Sequence, residues 1–328
     1  MNNPDAKLPV NLFDKPDMAA TREGFSKGVV EAGKIDPRIV VLSADLTEST
    51  GAHGFAKEFP ERFVQVGVAE QNLATVAAGM SGYGKISFFT SYAAFNPGRN
   101  WEQIRTTIAL NNVPAICCGM HAGLLTGPDG ATHQALEDLA MMRALPNMIV
   151  VSPCDAEEGR KATLAVAKTA KPAYMRFARE KMPTMTTPET PFELGKANVM
   201  WIPKSGKAKV ALFATGPVLY NALFAAKKLE EEGFDVSVTN VHTIKPIDEE
   251  TIVREAKAAG AVVTIEEHQV HGGLGSAVAE VLSQKLPTKM AIVGVQDKFG
   301  QTGSAAELYE EYGLGPNHIA EVVKKLVS

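Results

Sequence analysis

Phe63-Val64-Gln65-Val66-Gly67-Val68-Ala69-Glu70-Gln71-Asn72 runs from an apolar, strand-like stretch to an acid, and then straight into a helix of Ala, Val and Gly. Strand, turn and helix in that order are half of a βαβ unit. Outward from this stretch the pattern repeats. Ile39–Ala44 reads as a buried strand and Asn72–Gly82 as the small-residue helix. Ile86–Phe89 is a strand, Trp101–Leu110 a helix, Ala115–Gly119 a strand and His133–Ala144 a helix. Met148–Ser152 is a strand, Ala156–Lys168 a helix, and Ala173–Phe177 a closing strand. The alternation predicts a mostly parallel sheet flanked by helices.

The alternation then breaks. Lys181–Gly195 holds three prolines and no periodicity, as expected of a linker. It restarts with strands at Val210–Ala214, Val236–Val241, Val262–Glu266 and Met290–Val295. Helices at Leu219–Glu232, Asp248–Ala259 and Leu274–Leu286 lie between them, and two terminal helices follow. The expected organisation is an N-terminal arm (1–17), a first α/β domain (18–180), a linker (181–200) and a second α/β domain (201–328). A chain of 328 residues has room for two domains of ordinary size.

Composition excludes several classes of function. The net charge of -4 supplies no basic field for nucleic acid. No apolar run reaches the roughly 18 residues of a membrane span. Met1–Pro16 is polar, without the apolar core of a signal peptide. Cys117, Cys118 and Cys154 are too few, and two of them too close, for a disulfide framework or a spaced zinc site. A reducing cytoplasm is the expected compartment.

Glu70 is the first candidate for chemistry. By itself it reads as a first-turn glutamate. Tyr92 and Phe95, in Ser91-Tyr92-Ala93-Ala94-Phe95, follow a strand. There they either pack a core or stack on a flat heterocycle. Arg22, Ser49, His121 and Arg179 are polar groups of the kind found at anion sites. Each also has a local reading: a solvated helix residue, a cap, a loop histidine and a linker charge. In the second domain, Glu266-Glu267-His268-Gln269-Val270-His271-Gly272-Gly273-Leu274-Gly275-Ser276 joins strand to helix. It serves either close helix–strand packing or an anion at the helix N-terminus. Its spacing is not that of a dinucleotide fingerprint.

Val-Ala-Glu-Gln-Asn (68–72), Ser-Tyr-Ala-Ala-Phe (91–95) and Glu-Gln-Ile-Arg (102–105) together are similar to the pyrimidine-binding domain of transketolases. The resemblance extends from about residue 18 to the end, over the last two of three family domains. It implies that Glu70 hydrogen-bonds the aminopyrimidine of thiamine diphosphate and sets the tautomer that deprotonates the thiazolium carbon. It implies that Tyr92 stacks on the pyrimidine, in place of the commoner Phe, and that Phe95 lines its pocket. The loop from Phe95 to Glu102 looks one residue longer than in some relatives. Asp45 matches a residue near the cofactor. Arg22, Ser49, His121 and Arg179 match the positions that bind the sugar phosphate, for which the arginine fork is suited. Asp129 matches a contact to a sugar hydroxyl, and His133 a histidine near the reacting carbon. The run Asp129-Gly130-Ala131-Thr132-His133-Gln134 also resembles deoxyxylulose-phosphate synthases. The second domain is implied to be structural and to help form a dimer.

The Gly-Asp-Gly and Asn signature that holds magnesium and the diphosphate is missing, and a full transketolase is about twice this length. The resemblance therefore implies a split enzyme: a separate N-terminal subunit supplies the diphosphate and Mg2+ site, two copies of each chain assemble, and the substrates are sugar phosphates. This chain is assigned no metal ligand. A 2-oxoacid dehydrogenase beta subunit has the same two domains, but a 2-oxoacid offers nothing to a phosphate grip. An idle binding or regulatory subunit has no need of Glu70. The donor and acceptor sugars are left open, as is the role of His133 in catalysis or binding alone.

Overall fold

The computed structural model describes all 328 residues. The first part of the chain runs β1 (Met18–Ala19), α1 (Thr21–Ile35), β2 (Ile39–Ser43), α2 (His53–Glu58), β3 (Phe63–Gln65), α3 (Glu70–Gly82), β4 (Ile86–Tyr92), α4 (Trp101–Gln103), β5 (Ala115–Met120), α5 (Asp138–Arg143), β6 (Ile149–Val151), α6 (Ala156–Thr169), β7 (Ala173–Arg176) and β8 (Met182–Pro183). The second runs β9 (Asn198–Trp201), β10 (Val210–Thr215), α7 (Leu219–Glu231), β11 (Val236–Asn240), β12 (Thr243–Lys245), α8 (Glu249–Ala259), β13 (Ala261–Gln269), α9 (Leu274–Lys285), β14 (Lys289–Val295), α10 (Ala305–Glu311) and α11 (Pro316–Val327). The α/β fold with mostly parallel sheets is as expected.

Apolar β-branched and aromatic runs make the central strands. β2, β5, β7, β10 and β11 are buried along their whole length, as strands covered by helices on both faces must be. The first sheet has the order β12-β6-β7-β5-β4-β2-β3 and the second β14-β13-β10-β11-β9. Strand β12 is the unexpected member. It belongs in sequence to the second unit but pairs antiparallel with β6 of the first, Thr243 opposite Val151. The hydrophobic core also ignores the boundary: one cluster joins Leu73, Ala77 and Phe89 of the first unit to Phe213, Ile252 and Val278 of the second.

Small residues set the closest contacts. A Cβ at Gly24 of α1 would lie 1.9 Å from the Ala156 carbonyl oxygen of α6, so α1 rests almost backbone to backbone on α6. This fixes the end of α1 that carries Arg22. The segment 181–195 is tied down. β8 pairs with β1, and the buried Asp155 carboxylate, which caps α6, accepts the Met185 and Thr186 amides at 2.6 Å each. The arm before β1 lies on the second unit, with Phe13 edge-on to Trp201 at 5.9 Å.

Two expected helices differ. No helix begins at His133. Residues 131–137 form turns and bends after the positive-φ Gly130, and α5 starts only at Asp138. The Gln134 side chain explains this: its amide donates to the Gly127 carbonyl at 3.1 Å and the Gln301 carbonyl at 3.0 Å, anchors that hold the segment outside a helical path. The helix from Trp101 widens into a π-turn over Ile104–Ala109, a form frequent near functional sites. No helix is long and apolar enough to cross a membrane.

Candidate active site

Glu70 is the first residue of α3 and is 1% exposed. Neither of its carboxylate oxygens bonds to the amides of its own helix. Ser91 Oγ donates to Oε1 at 3.0 Å, and Arg99 Nη1 to Oε2 at 3.1 Å. Asn100 ties the Glu70 carbonyl at 2.9 Å. The Arg99 side chain is 52% exposed, so this ion pair has one fixed and one movable member.

From Arg99 a line of side chains leads across the mouth of the first sheet. The Arg99 guanidinium lies 4.8 Å from the centre of the Phe95 ring, within cation–π range. Phe95 meets His133 edge-on at 5.3 Å. Tyr92 lies 6.4 Å from Phe95 and stacks on His121 at 4.2 Å, with 21° between planes. One face of Tyr92 is thus used within the chain, and a bound heterocycle has only the other. His133 Nδ1 is hydrogen-bonded to Thr132 Oγ1 at 2.8 Å.

The line ends at the Ser49 carbonyl. Arg22 Nη1 donates to it at 2.6 Å and His121 Nε2 at 3.1 Å. The Ser49 hydroxyl itself turns back to the Leu46 carbonyl at 3.3 Å, so the backbone of Ser49 is the anchor. Because Nε2 carries the proton, His121 Nδ1 is a bare acceptor. It is buried without a partner, as is the Nε–H of Arg22. Burial, followed by the charges of Arg22 and Arg179, pushes the His121 pKa down to about 4, and the imidazole is neutral near pH 7. Arg179 Nη1 donates to Asp129 Oδ1 and to the Thr126 carbonyl, both at 3.0 Å.

The structure thus links Glu70, Tyr92, Phe95, His121, His133, Arg22 and Ser49 through direct contacts or through Arg99. The Asp129–Arg179 pair is joined to His121 through Thr126, whose carbonyl accepts from Arg179 and whose hydroxyl donates to the His121 carbonyl. Asp45 is not joined to this line by any hydrogen bond. It has φ +61, and its amide donates to Gln65 Oε1 at 2.6 Å. Arg99 and Ser91 were not singled out from sequence. Arg99 is a charge in the polar loop Asn96-Pro97-Gly98-Arg99-Asn100, and its position four residues after Phe95 was the available signal.

The Gly-rich turn of the second unit has its helix N-terminus satisfied from within the chain. Glu266 accepts the Leu274 amide at 2.6 Å and the Gly275 amide at 2.8 Å, filling the α9 N-terminus from within. A Cβ at Gly275 would sit 2.7 Å from Ile292, so close helix–strand packing accounts for the glycine. A hollow of about 620 Å³ between Lys196, Asp248, Arg254 and Lys285 belongs to this second unit and shares no residue with the line from Glu70 to Ser49.

The family description "Transketolase, pyrimidine binding domain" matches residues 17–185, and "Transketolase, C-terminal domain" matches residues 199–319. The chain is 41% identical over 303 residues to a protein of Methanocaldococcus jannaschii provisionally named a transketolase C-terminal section, covering 92% of this chain and 94% of that one. It is 36% identical to a 6-deoxy-6-sulfo-D-fructose transketolase subunit from Clostridium sp. (strain MSTE9), over 93% of this chain and 94% of the other. Among solved structures it is similar to a split gene transketolase described as an inactive beta4 tetramer, with 45% identity, a TM-score of 0.87, and 94% and 98% of the two chains covered. The chain belongs to the thiamine-diphosphate-dependent transketolase family, with that family's pyrimidine-binding and C-terminal domains and its split-gene relatives.

Proposed function

We propose that the chain is the C-terminal subunit of a split transketolase. With a separate N-terminal subunit it transfers a two-carbon ketol unit from a ketose phosphate to an aldose phosphate. The observation that carries this reading is the end of the line at Ser49. Two buried polar atoms, Arg22 Nε and His121 Nδ1, have no partner there, and a second arginine, Arg179, is tied to the same histidine through Thr126. A phosphate monoester supplies oxygens for the arginine donors, and a hydroxyl of the sugar or its phosphate can donate to neutral His121. A 2-oxoacid has no phosphate to offer the arginines.

At the other end of the line, Glu70 fits the pyrimidine of the cofactor. Its carboxylate is desolvated and held by Ser91 and Arg99, with no helix amide competing for it. When bound, thiamine diphosphate supplies the electron sink that stabilises the transferred two-carbon unit. Glu70 orients and polarises the ring, and Tyr92 and Phe95 hold its face. Asp45 borders the cofactor, Asp129 takes a sugar hydroxyl, and His133 binds the sugar near the reacting carbon or moves a proton there. The diphosphate and Mg2+ are assigned to the N-terminal subunit, in an assembly with two copies of each chain and a cytoplasmic setting. That the split-gene neighbour is described as inactive as a beta4 tetramer supports the view that the C-terminal half is idle alone.

The test is turnover of ribose 5-phosphate and xylulose 5-phosphate with thiamine diphosphate and Mg2+. The chain alone should give none, and addition of an N-terminal subunit bearing Gly-Asp-Gly and the Asn signature should restore it. Full activity of the chain alone, or none from the pair, refutes the reading.

A further inference from the structure

The loop from His121 to Gly130 carries two of the residues proposed to meet the sugar phosphate, and its floor comes from the other α/β unit. Glu267, on β13, places its carboxylate directly beneath it. Oε1 accepts the Leu125 amide at 2.7 Å, inside the tight turn Leu124–Asp129 that ends in Asp129. Gly123 closes over the same carboxylate with φ +76, and a Cβ there would fall 2.4 Å from the Glu267 carboxyl carbon. The next residue, Thr126, donates its hydroxyl to the His121 carbonyl and accepts from Arg179. One carboxylate thus sits under the point where His121, Asp129 and Arg179 are tied together.

Glu267 is itself held firmly. Arg176 Nη1 donates to its Oε2 at 3.3 Å and Nη2 to its carbonyl at 2.8 Å. On its other edge Arg176 donates through Nε to Asp138 at 3.0 Å, and Tyr174 OH donates to Asp138 at 2.6 Å. All four side chains are buried. A second clasp from the same unit closes the far end of the loop: a Cβ at Gly130 would lie 2.7 Å from Thr302 Oγ1, and Gln134 bridges Gly127 to Gln301. Burying two carboxylates around one arginine is seldom better for stability than an apolar cluster of the same volume. What Glu267 supplies that an apolar side chain does not is an acceptor for the Leu125 amide.

We propose that Glu267 is a positioning residue of the sugar-phosphate site: through Leu125 it fixes the Leu124–Asp129 turn, and with it the placement of Asp129 and His121. The C-terminal unit then contributes to substrate recognition without touching substrate. This rests on the reading of the loop as a sugar-phosphate grip.

The experiment uses the full chain. Hydrogen exchange is followed on the peptide covering residues 121–130, with α8 as the internal control. Glu267→Leu removes the acceptor and should speed exchange of that peptide about tenfold while α8 is unchanged. Glu267→Gln keeps an acceptor and should restore most of the protection. Paired with the N-terminal subunit, Glu267→Leu should raise KM for ribose 5-phosphate about tenfold with kcat changed less than twofold, and Glu267→Gln should recover the native KM. If Glu267→Leu does not fold, Glu267→Met, unbranched and close to glutamate in length, removes the same acceptor and is read in the same way. Unchanged exchange in the variant, a Gln variant no better than Leu, or kcat falling in step with the rise in KM overturns the proposal. Exchange needs no turnover. A loop loosened as expected in a chain whose native pair transfers nothing upholds Glu267 as the loop's anchor and refutes the functional reading instead.

Discussion

Glu70 and Glu266 are both buried carboxylates beside the start of a helix, and they are put to opposite uses. Glu266 turns both oxygens onto the first amides of α9, the ordinary way to satisfy a helix N-terminus. Glu70 gives none of its bonding capacity to α3. Its partners are a hydroxyl on a neighbouring strand and a half-exposed arginine. An acid at a helix start is available for chemistry only when its own helix does not consume it. In sequence the two differ: Glu70 opens its own helix, whereas Glu266 lies within β13, eight residues before α9 begins.

The strongest challenge to this contrast is to neutralise Glu70. Glu70→Gln keeps the volume and one acceptor, and in the assembled pair it should lower turnover about 10²–10⁴-fold with no loss of assembly by size-exclusion chromatography. Native turnover in this variant breaks the comparison outright. Glu266→Ala should do the reverse. With the Leu274 and Gly275 amides left without an acceptor, unfolding by urea should begin about 2 kcal/mol sooner, while kcat per folded molecule stays at the native value. Arg179→Ala tests the far end of the line. KM for ribose 5-phosphate should rise about tenfold, the worth of one charge-assisted hydrogen bond, and an unphosphorylated acceptor should show no such rise.

The smallest effect concerns a third buried glutamate. Glu158 accepts the Cys154 amide at 2.7 Å and Asn240 Nδ2 at 2.7 Å. Burial, with the nearby Asp155 charge, pushes its pKa up from 4.5 to about 7. A carboxyl raised on folding contributes stability that is complete below its unfolded value and is lost as pH rises through the folded one. Glu158→Gln should therefore gain on the native chain between pH 5 and pH 8 in urea denaturation midpoints. Parallel pH profiles would show that Glu158 does not titrate in this window.

Most of the fold was legible because it obeys local rules. Ile39–Leu42 and Val210–Ala214 are uninterrupted apolar runs, as buried strands between flanking helices require. The failures were tertiary. Thr243–Lys245 is too short to announce itself and becomes a strand only because β6 offers an edge. The stretch after Gly130 has helical composition up to Ala144, but Gln134 is held by two carbonyls, one of them far along the chain. The site divides in the same way. Glu70, Tyr92 and Phe95 came from a motif, and the structure puts them on one line. Arg99 escaped because its partner lies in another element, and Glu267 because a run of Glu, His and Gly next to a helix points to the helix rather than to a loop of the other unit.

The exchange of β12 also has a consequence for how the protein is made. While the chain is being synthesised, β6 is an open edge until residues 243–245 have left the ribosome, since its outer neighbour comes from beyond the segment between the units. An unpaired edge beside a largely apolar sheet is prone to join another chain. A fragment ending at residue 200 keeps that edge permanently, and it should aggregate where the whole chain does not.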